Sequence, residues 1–324
     1  MGRRILLLGA TGTIGRATAR ALVARGHEVV CFLRPQVDAP STARSLPGAT
    51  LRFGDVTCAQ SLARQAWCGE RFDALVSCLA SRTGTPRDAW ALDHDAHVLA
   101  LQTARDAGVT QVVLLSALCV QKPVLAFQQA KLAFERQLMD SGLTWSIVRP
   151  TAFFKSLCGQ IERVRQGKPF LVFGDGTLTA CKPISDEDLA DYLASCLEDP
   201  SRHNRILAIG GPGPAITPRQ QGEHLFKLLG RPAKFKQVPV GLLDVVIAVL
   251  GAFGRLVPAL ADKAELARIG RYYATESMLV LDPVSGRYDA QATPETGHQT
   301  LFDFYERVLV QGERLPDRGD HAVF

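Results

Sequence analysis

Short apolar runs alternate along the chain with longer segments whose apolar positions recur every three or four residues. The runs at 5–8, 28–33, 50–53, 74–78, 112–115, 145–148 and 206–209 are short enough for buried strands and too short for helices. The stretches 16–25, 88–108, 124–140 and 186–197 carry helical spacing instead. Local chemistry supports these limits. Gly108 suits a helix C-cap, and Pro123 suits the start of the 124–140 helix. Asp186, Glu187 and Asp188 place negative charge in a first helical turn. Arg149-Pro150-Thr151 is expected to stop the sixth strand. Strands alternating with helices predict an α/β fold, a parallel sheet covered by helices on both faces. A ligand then belongs at the carboxyl ends of the strands, where Arg34, Asp55, Ala80, Ser116 and Pro150 fall.

Beyond position 150 the pattern changes. Residues 167–180 are rich in Gly and Pro and predict a loop and hairpin. Gly210-Gly211-Pro212-Gly213-Pro214 is a strong breaker, after which Thr217-Pro218 opens a helix to Gly230. The longest apolar stretch, 238–260, is interrupted by Pro239, Asp244, Arg255 and Pro258. It predicts a buried or interfacial helical segment rather than a membrane span, with a peripheral membrane contact left open. The remainder reads as irregular until an amphipathic helix over 298–311.

The first turn carries the most specific chemistry. Gly9-Ala10-Thr11-Gly12-Thr13-Ile14-Gly15 follows the first apolar run and precedes the first helical segment. Strand, glycine turn and helix are the context of a dinucleotide site. Gly9 permits the sharp turn, Gly12 lets backbone N–H groups approach a pyrophosphate, and Gly15 lets the helix pack on the sheet. The helix N-terminus adds unpaired N–H groups and partial positive charge. The sheet is therefore expected to be of the Rossmann, doubly wound type. After the second strand, where an acid would bind the ribose of NAD, stands Arg34. A cation there suits a 2′-phosphate, with Arg16 as helper, so the expected cofactor is NADPH. Asp55, followed by Val56, can accept a bond from an adenine amino group or cap the next helix. Leu79 and Ala80 are small or apolar neighbours for ribose and phosphate. The expected division is a cofactor domain of 1–155 with 181–211, and a substrate region of 156–180 with 212–324.

Composition narrows the partners. The 324 residues carry a formal net charge of +5 but no compact Lys/Arg run, so nucleic acid is not expected. The eight cysteines form no Cys-x-x-Cys pair and read as reduced, small apolar residues. Asp93-His94-Asp95-Ala96-His97 invites a metal reading. No third ligand stands at a recognised spacing, so a solvated helix face is expected and no metal. The apolar run after Met1-Gly2-Arg3-Arg4 is too short for a signal peptide, and Leu6 stands where myristoylation needs Ser or Thr.

Ser116 after the fifth strand, Lys131 on the next helix and the glycine pattern together resemble the short-chain dehydrogenase/reductase superfamily. Its usual Tyr-x-x-x-Lys is here Phe127-x-x-x-Lys131. The resemblance implies that Lys131 binds nicotinamide ribose hydroxyls. It also implies that the phenolic proton donor of carbonyl reductases is missing. Leu115-Ser116-Ala117-Leu118-Cys119-Val120-Gln121-Lys122-Pro123 and Phe127-Gln128-Gln129-Ala130-Lys131 resemble the divinyl chlorophyllide 8-vinyl reductases. So do Arg149-Pro150-Thr151-Ala152-Phe153-Phe154-Lys155-Ser156 and Lys182-Pro183-Ile184-Ser185. That likeness, from Arg4 to about Gln311, implies NADPH-dependent reduction of a vinyl group on a chlorophyllide-type tetrapyrrole to ethyl. With no plastid-type extension ahead of the glycine turn, a bacterial, cytoplasmic protein of bacteriochlorophyll synthesis is expected. Hydride addition to a conjugated vinyl group creates no oxyanion, so loss of the tyrosine is compatible with it. The proton is left to solvent, Lys131 or Cys119. A flat macrocycle calls for an apolar slot, for which Phe153, Phe154, Phe170, Phe173 and 242–260 are candidates. Lys155, Lys168 or Lys182 could meet the propionate. Two alternatives stay open: another atypical reductase of the isoflavone reductase-like kind, and a non-catalytic NADP(H)-sensing regulator of the NmrA-like kind. Oligomeric state is open.

Overall fold

The computed structural model describes residues 2–35, 37–254 and 257–315. Its strands of four or more residues, in chain order, are β1 Arg4–Leu8, β2 Glu28–Leu33, β3 Thr50–Phe53, β4 Ala74–Ser77, β5 Gln111–Leu115, β6 Thr144–Pro150, β7 Phe170–Phe173, β8 Arg205–Ile209 and β9 Phe235–Val238. A seven-stranded sheet runs β3-β2-β1-β4-β5-β6-β8. The register is parallel from β3 through β6: Leu6 of β1 stands opposite Val30 and Leu75, and Val113 of β5 opposite Val76 and Ser146. The order steps outward from β1 in both directions, so the glycine turn after β1 sits at the reversal point where doubly wound sheets bind ligands.

The chain divides into two compact units. The first comprises the residues up to Ser81, Arg87–Pro150 and Asp186–Leu207; the second comprises Arg82–Pro86, Thr151–Ser185 and the residues from Ala208 onward. In the first, alternate residues of each strand feed one core: Leu6 and Leu8, Val30 and Phe32, Val112 and Leu114. Trp67, Phe72, Leu101, Phe134 and Leu138 close over them. Burial of such side chains stabilises by roughly 1.5–3 kcal/mol each. In the second, Phe154, Phe170, Phe226, Phe304 and Tyr305 form a separate core, and the buried Tyr305 hydroxyl donates to the Leu157 carbonyl at 2.9 Å. Burial pushes the thiols of Cys31, Cys78 and Cys181 up to about 12, so they remain protonated apolar fillers.

Several expectations are corrected. The helix expected over 124–140 begins at Ala126, because Gln128 folds back and its Oε1 accepts the N–H groups of Val124 and Leu125. Pro123 therefore lies ahead of the first turn. β6 continues through Arg149 and Pro150 instead of stopping there. Residues 167–180 form no hairpin; β7 pairs in parallel with the distant β9, Phe170 opposite Phe235. The 88–108 helix is real but widens into a π-type stretch over Trp90–Asp95 before Ala96–Asp106. The helical segment expected within 238–260 is the helix Val240–Gly254, and the stretch after it, expected to be irregular, holds a further helix, Pro258–Thr275. The former has no buried residue. The expected interruption at Arg255 lies outside the described residues.

Candidate functional site

The glycine turn sorts its three glycines by what each must avoid. Gly9 has φ +78°, and a Cβ on it would lie 2.5 Å from the Cys78 carbonyl. A Cβ on Gly15 would lie 2.1 Å from the Gly9 oxygen. Packing alone demands both. Gly12 differs: its φ of −71° suits any residue, and a Cβ would meet only the Gly9 oxygen, at 3.5 Å. Nothing in the described chain requires glycine there, yet Gly12 is exposed at the mouth of the Thr13–Ala24 helix. That helix has no side-chain cap and no acid in its first turn. Its first N–H groups, from Thr13, Ile14 and Gly15, are the donors a helix leaves unused. An open glycine before an uncapped, positive helix end fits a pyrophosphate. Arg16 is partly committed, donating to the Thr11 carbonyl at 2.9 Å.

Around it the strand ends present the other expected groups. Arg34 is exposed after β2, and Ala80 is exposed after β4. Asp55 is exposed after β3, with Oδ1 accepting from the Thr57 amide and hydroxyl at 2.8 and 2.7 Å. That is a local turn; the short helix beyond starts from Cys58, so Asp55 does not cap it. Val56 and Leu79 pack partly buried against the core. Pro150 is buried as the last residue of β6.

The expectation for 93–97 fails. Asp93 and His97 are 1% and 3% exposed and His94 is half-buried, so only Asp95 stands on a solvated face. Asp93 Oδ1 holds the Lys131 ammonium at 2.8 Å and accepts the Ser81 N–H at 3.3 Å; its Oδ2 is buried with no hydrogen-bond partner. His97 sits between the Leu92 carbonyl and Ser77 Oγ, both at 2.8 Å. A carbonyl only accepts, so Nδ1 carries the proton and Nε2 accepts from Ser77. Burial, aided by the Lys131 charge and opposed by Asp93, brings His97 down to about 4, so the ring is neutral. Among the described residues no metal-ligating cluster of three such groups occurs.

One helical turn past Lys131, the buried Glu135 takes the Arg149 guanidinium on both oxygens and accepts from the Ser116 hydroxyl. Ser116 thus spends its proton inside the fold. Its amide donates to Val148 at 2.7 Å, which locks the turn after β5 to β6. Phe127 is half-buried on the same helix face as Lys131. Cys119 is 2% exposed, in a short turn whose carbonyl accepts from Gln128 Nε2 at 3.1 Å. The supporting roles of Asp93, Arg149 and Gln128 were not read from the sequence, and Glu135 was missed altogether. Only Glu135 had a local signal, its four-residue spacing from Lys131.

In the second unit, Phe154 and Phe170 are 5% and 3% exposed and belong to the core, so they cannot line an open slot. Phe153, Phe173 and Lys155 are half-buried, and Lys168 is exposed. Lys182 is buried and bonded to Glu295 Oε1 and the Thr293 carbonyl, which removes it as a propionate ligand.

Comparison with known proteins adds to this geometry. Residues 9–200 match a family model described as NAD(P)H-binding. The chain is 48% identical, over 99% of its length and 79% of the relative's, to the chloroplastic divinyl chlorophyllide a 8-vinyl-reductase of Cucumis sativus. It is 49% identical to the enzyme of the same name from Oryza sativa subsp. indica, over 99% of this chain and 82% of that protein. The chain belongs to the divinyl chlorophyllide a 8-vinyl-reductase family. Both of these members of the 8-vinyl-reductase family are named chloroplastic, which overturns the expectation of a cytoplasmic protein. Among solved structures, the leucoanthocyanidin reductase–NADPH complex of Vitis vinifera superposes with a TM-score of 0.69 at 15% identity, over 95% of this chain and 99% of that one. The superposition shows that this chain has a Rossmann-like fold.

Proposed function

We propose that the chain reduces the 8-vinyl group of divinyl chlorophyllide a to ethyl with NADPH. The observation that carries this reading is the near-complete, 48–49% identity to reductases of that name. The first unit supports it. The exposed Gly12 and uncapped helix end would receive the pyrophosphate, and Arg34 the 2′-phosphate that distinguishes NADPH from NADH. When bound, NADPH would supply a hydride to the terminal vinyl carbon.

The chain's own residues then have limited tasks. Lys131, fixed by Asp93, would hold the nicotinamide ribose by donating from Nζ to its hydroxyls. Phe127 gives an apolar wall where a carbonyl reductase needs a phenol, consistent with a substrate that develops no oxyanion. Cys119 is 2% exposed, which disfavours it as proton source and leaves solvent and the Lys131 ammonium, whose side chain is 12% exposed. Catalysis rests on positioning and exclusion of water rather than on a strong acid. The half-buried Phe153, with Lys155 beside it in sequence, remains the candidate contact for the pigment and its propionate. The vinyl reduction is the same step whether the product continues to chlorophyll or to bacteriochlorophyll.

Incubation of the purified chain with NADPH and divinyl chlorophyllide a tests the reading. The blue shift of the pigment's absorption on loss of conjugation, in step with NADPH oxidation, is expected. NADPH binding without any pigment change would favour a cofactor-sensing protein instead.

A further inference from the structure

The Val240–Gly254 helix is apolar at every position but Asp244, yet buries no residue. A helix that is hydrophobic all round normally lies in a core or in lipid. Its exposed large residues are Leu242, Val245, Val246, Val249 and Phe253, at 36–59% exposure. They fall at intervals of three and four, so they form one stripe. The opposite face packs on the Pro258–Thr275 helix, where a Cβ on Gly254 would come within 2.8 Å of the Ala261 nitrogen. The helix's one charge is also handled by that neighbour, because Arg271 pairs with Asp244. Tyr273, 40% exposed, stands on the same neighbouring helix.

The chain leading into this hairpin is basic. From 224 to 243 it holds Lys227, Arg231, Lys234 and Lys236 and no Asp or Glu. Lys234 and Lys236 flank Phe235 on β9 and are exposed, while Phe235 packs against Phe170. Arg165, Arg231 and Lys234 line a depression of about 420 Å³ with Gly167 and Phe226. Arg165 also pairs with Glu162, which leaves the local charge positive. No helix among the described residues is long and apolar enough to cross a membrane. Fifteen residues extend only about 22 Å, short of the roughly 30 Å hydrocarbon core.

We propose that the Val240–Gly254 helix lies in the interface of an anionic lipid bilayer, with its Leu242–Val245–Val249–Phe253 stripe in the acyl region and the adjoining basic segment on the headgroups. An apolar face beside clustered Lys and Arg is the pattern of interfacial anchoring, and tyrosine suits the headgroup level. The inference stands independently of the vinyl-reductase reading.

The test is co-sedimentation of the full chain with vesicles of phosphatidylcholine alone or mixed equally with phosphatidylglycerol. The chain is expected to sediment with the mixed vesicles. Lys234→Glu with Lys236→Glu should weaken that binding roughly twenty-fivefold or more, about fivefold per lost lysine. Val245→Asp with Val249→Asp should abolish it, with circular dichroism and thermal unfolding showing that the fold persists; Val245→Ser with Val249→Ser serves if the aspartates disturb folding. Failure of the unmutated chain to sediment would overturn the proposal, as would unchanged sedimentation of a folded stripe variant. A concentration-dependent dimer that the stripe substitutions dissolve, without vesicle binding, would assign the face to a second copy and likewise overturn it.

Discussion

Asp93→Asn removes a buried charge while keeping side-chain shape. Its carboxylate is fully buried and 2.8 Å from the Lys131 ammonium, whose side chain is 12% exposed. At that distance the gross attraction is about 6 kcal/mol at an effective dielectric of about 20. Desolvation of both groups offsets much of it, and losing one partner of such a pair costs about 3–5 kcal/mol. Lys131 can relax toward water, so a loss near the lower end, about 3 kcal/mol, is expected in chemical denaturation. The effect on function should be larger than on cofactor affinity. A charge-assisted bond to a ribose hydroxyl is worth about 1.5–3 kcal/mol, so NADPH should bind at least about tenfold more weakly. A nicotinamide misplaced by about 1 Å adds up to about a hundredfold in rate. The decisive comparison is the double variant Asp93→Asn with Lys131→Met. It leaves no unpaired charge, so stability should recover substantially, while vinyl reduction stays lost. Calorimetric NADPH titration, denaturant unfolding and pigment kinetics on the parent and the two variants give the answer. Unchanged affinity and rate in folded Asp93→Asn, or a double variant that regains full activity, would refute the assigned role of the pair.

Other predictions follow from single observations. Arg34→Ala should erase most of the preference for NADPH over NADH, a change of about 1.5–3 kcal/mol in relative affinity by titration, whereas equal affinities in the unmutated chain would remove the 2′-phosphate contact. Gly12→Ala has space and an ordinary φ, so it should cost under about 1 kcal/mol in stability yet weaken NADPH binding at least about tenfold; Gly15→Ala, facing the Gly9 oxygen at 2.1 Å, should impair folding itself. Phe127→Tyr should leave vinyl reduction the same or slower, and a large gain in rate would show that the site lacks an acid it needs. His97 titrates at about 4 when folded and at 6.5 when unfolded, so the unfolded chain binds the extra proton between those values. Its contribution is complete above pH 6.5 and lost as pH falls toward 4, amounting to about 3 kcal/mol; an unfolding free energy that is as flat for the parent as for His97→Gln across that window would contradict it.

The sheet was legible because buried parallel strands announce themselves as short apolar runs, and the limits of β2 and β3 were read to the residue. The glycine turn was legible because its requirements are local. The pair behind Lys131 was not, because Asp93 lies in a different helix and looks, within its own window, like a polar face. The same blindness hid the β7–β9 pairing: the partners of Phe170–Phe173 stand far along the chain, so nearby glycines suggested a hairpin. Phe154 and Phe170 were misjudged because aromatic residues for a core and for a slot are spelled alike. Exposure at 240–254 could not be read either, since a hydrophobic run reports its preference and not whether the fold supplies a partner.

The central claim is that hydride passes from a nicotinamide held by this chain to the pigment's vinyl group. Single-turnover reaction with NADPH carrying deuterium at the transferred C4 position, followed by mass spectrometry and proton NMR of the isolated pigment, measures that directly. One deuterium on the terminal carbon of a new ethyl group is the predicted result. Oxidation of the labelled NADPH with an unlabelled, still divinyl pigment would contradict the account.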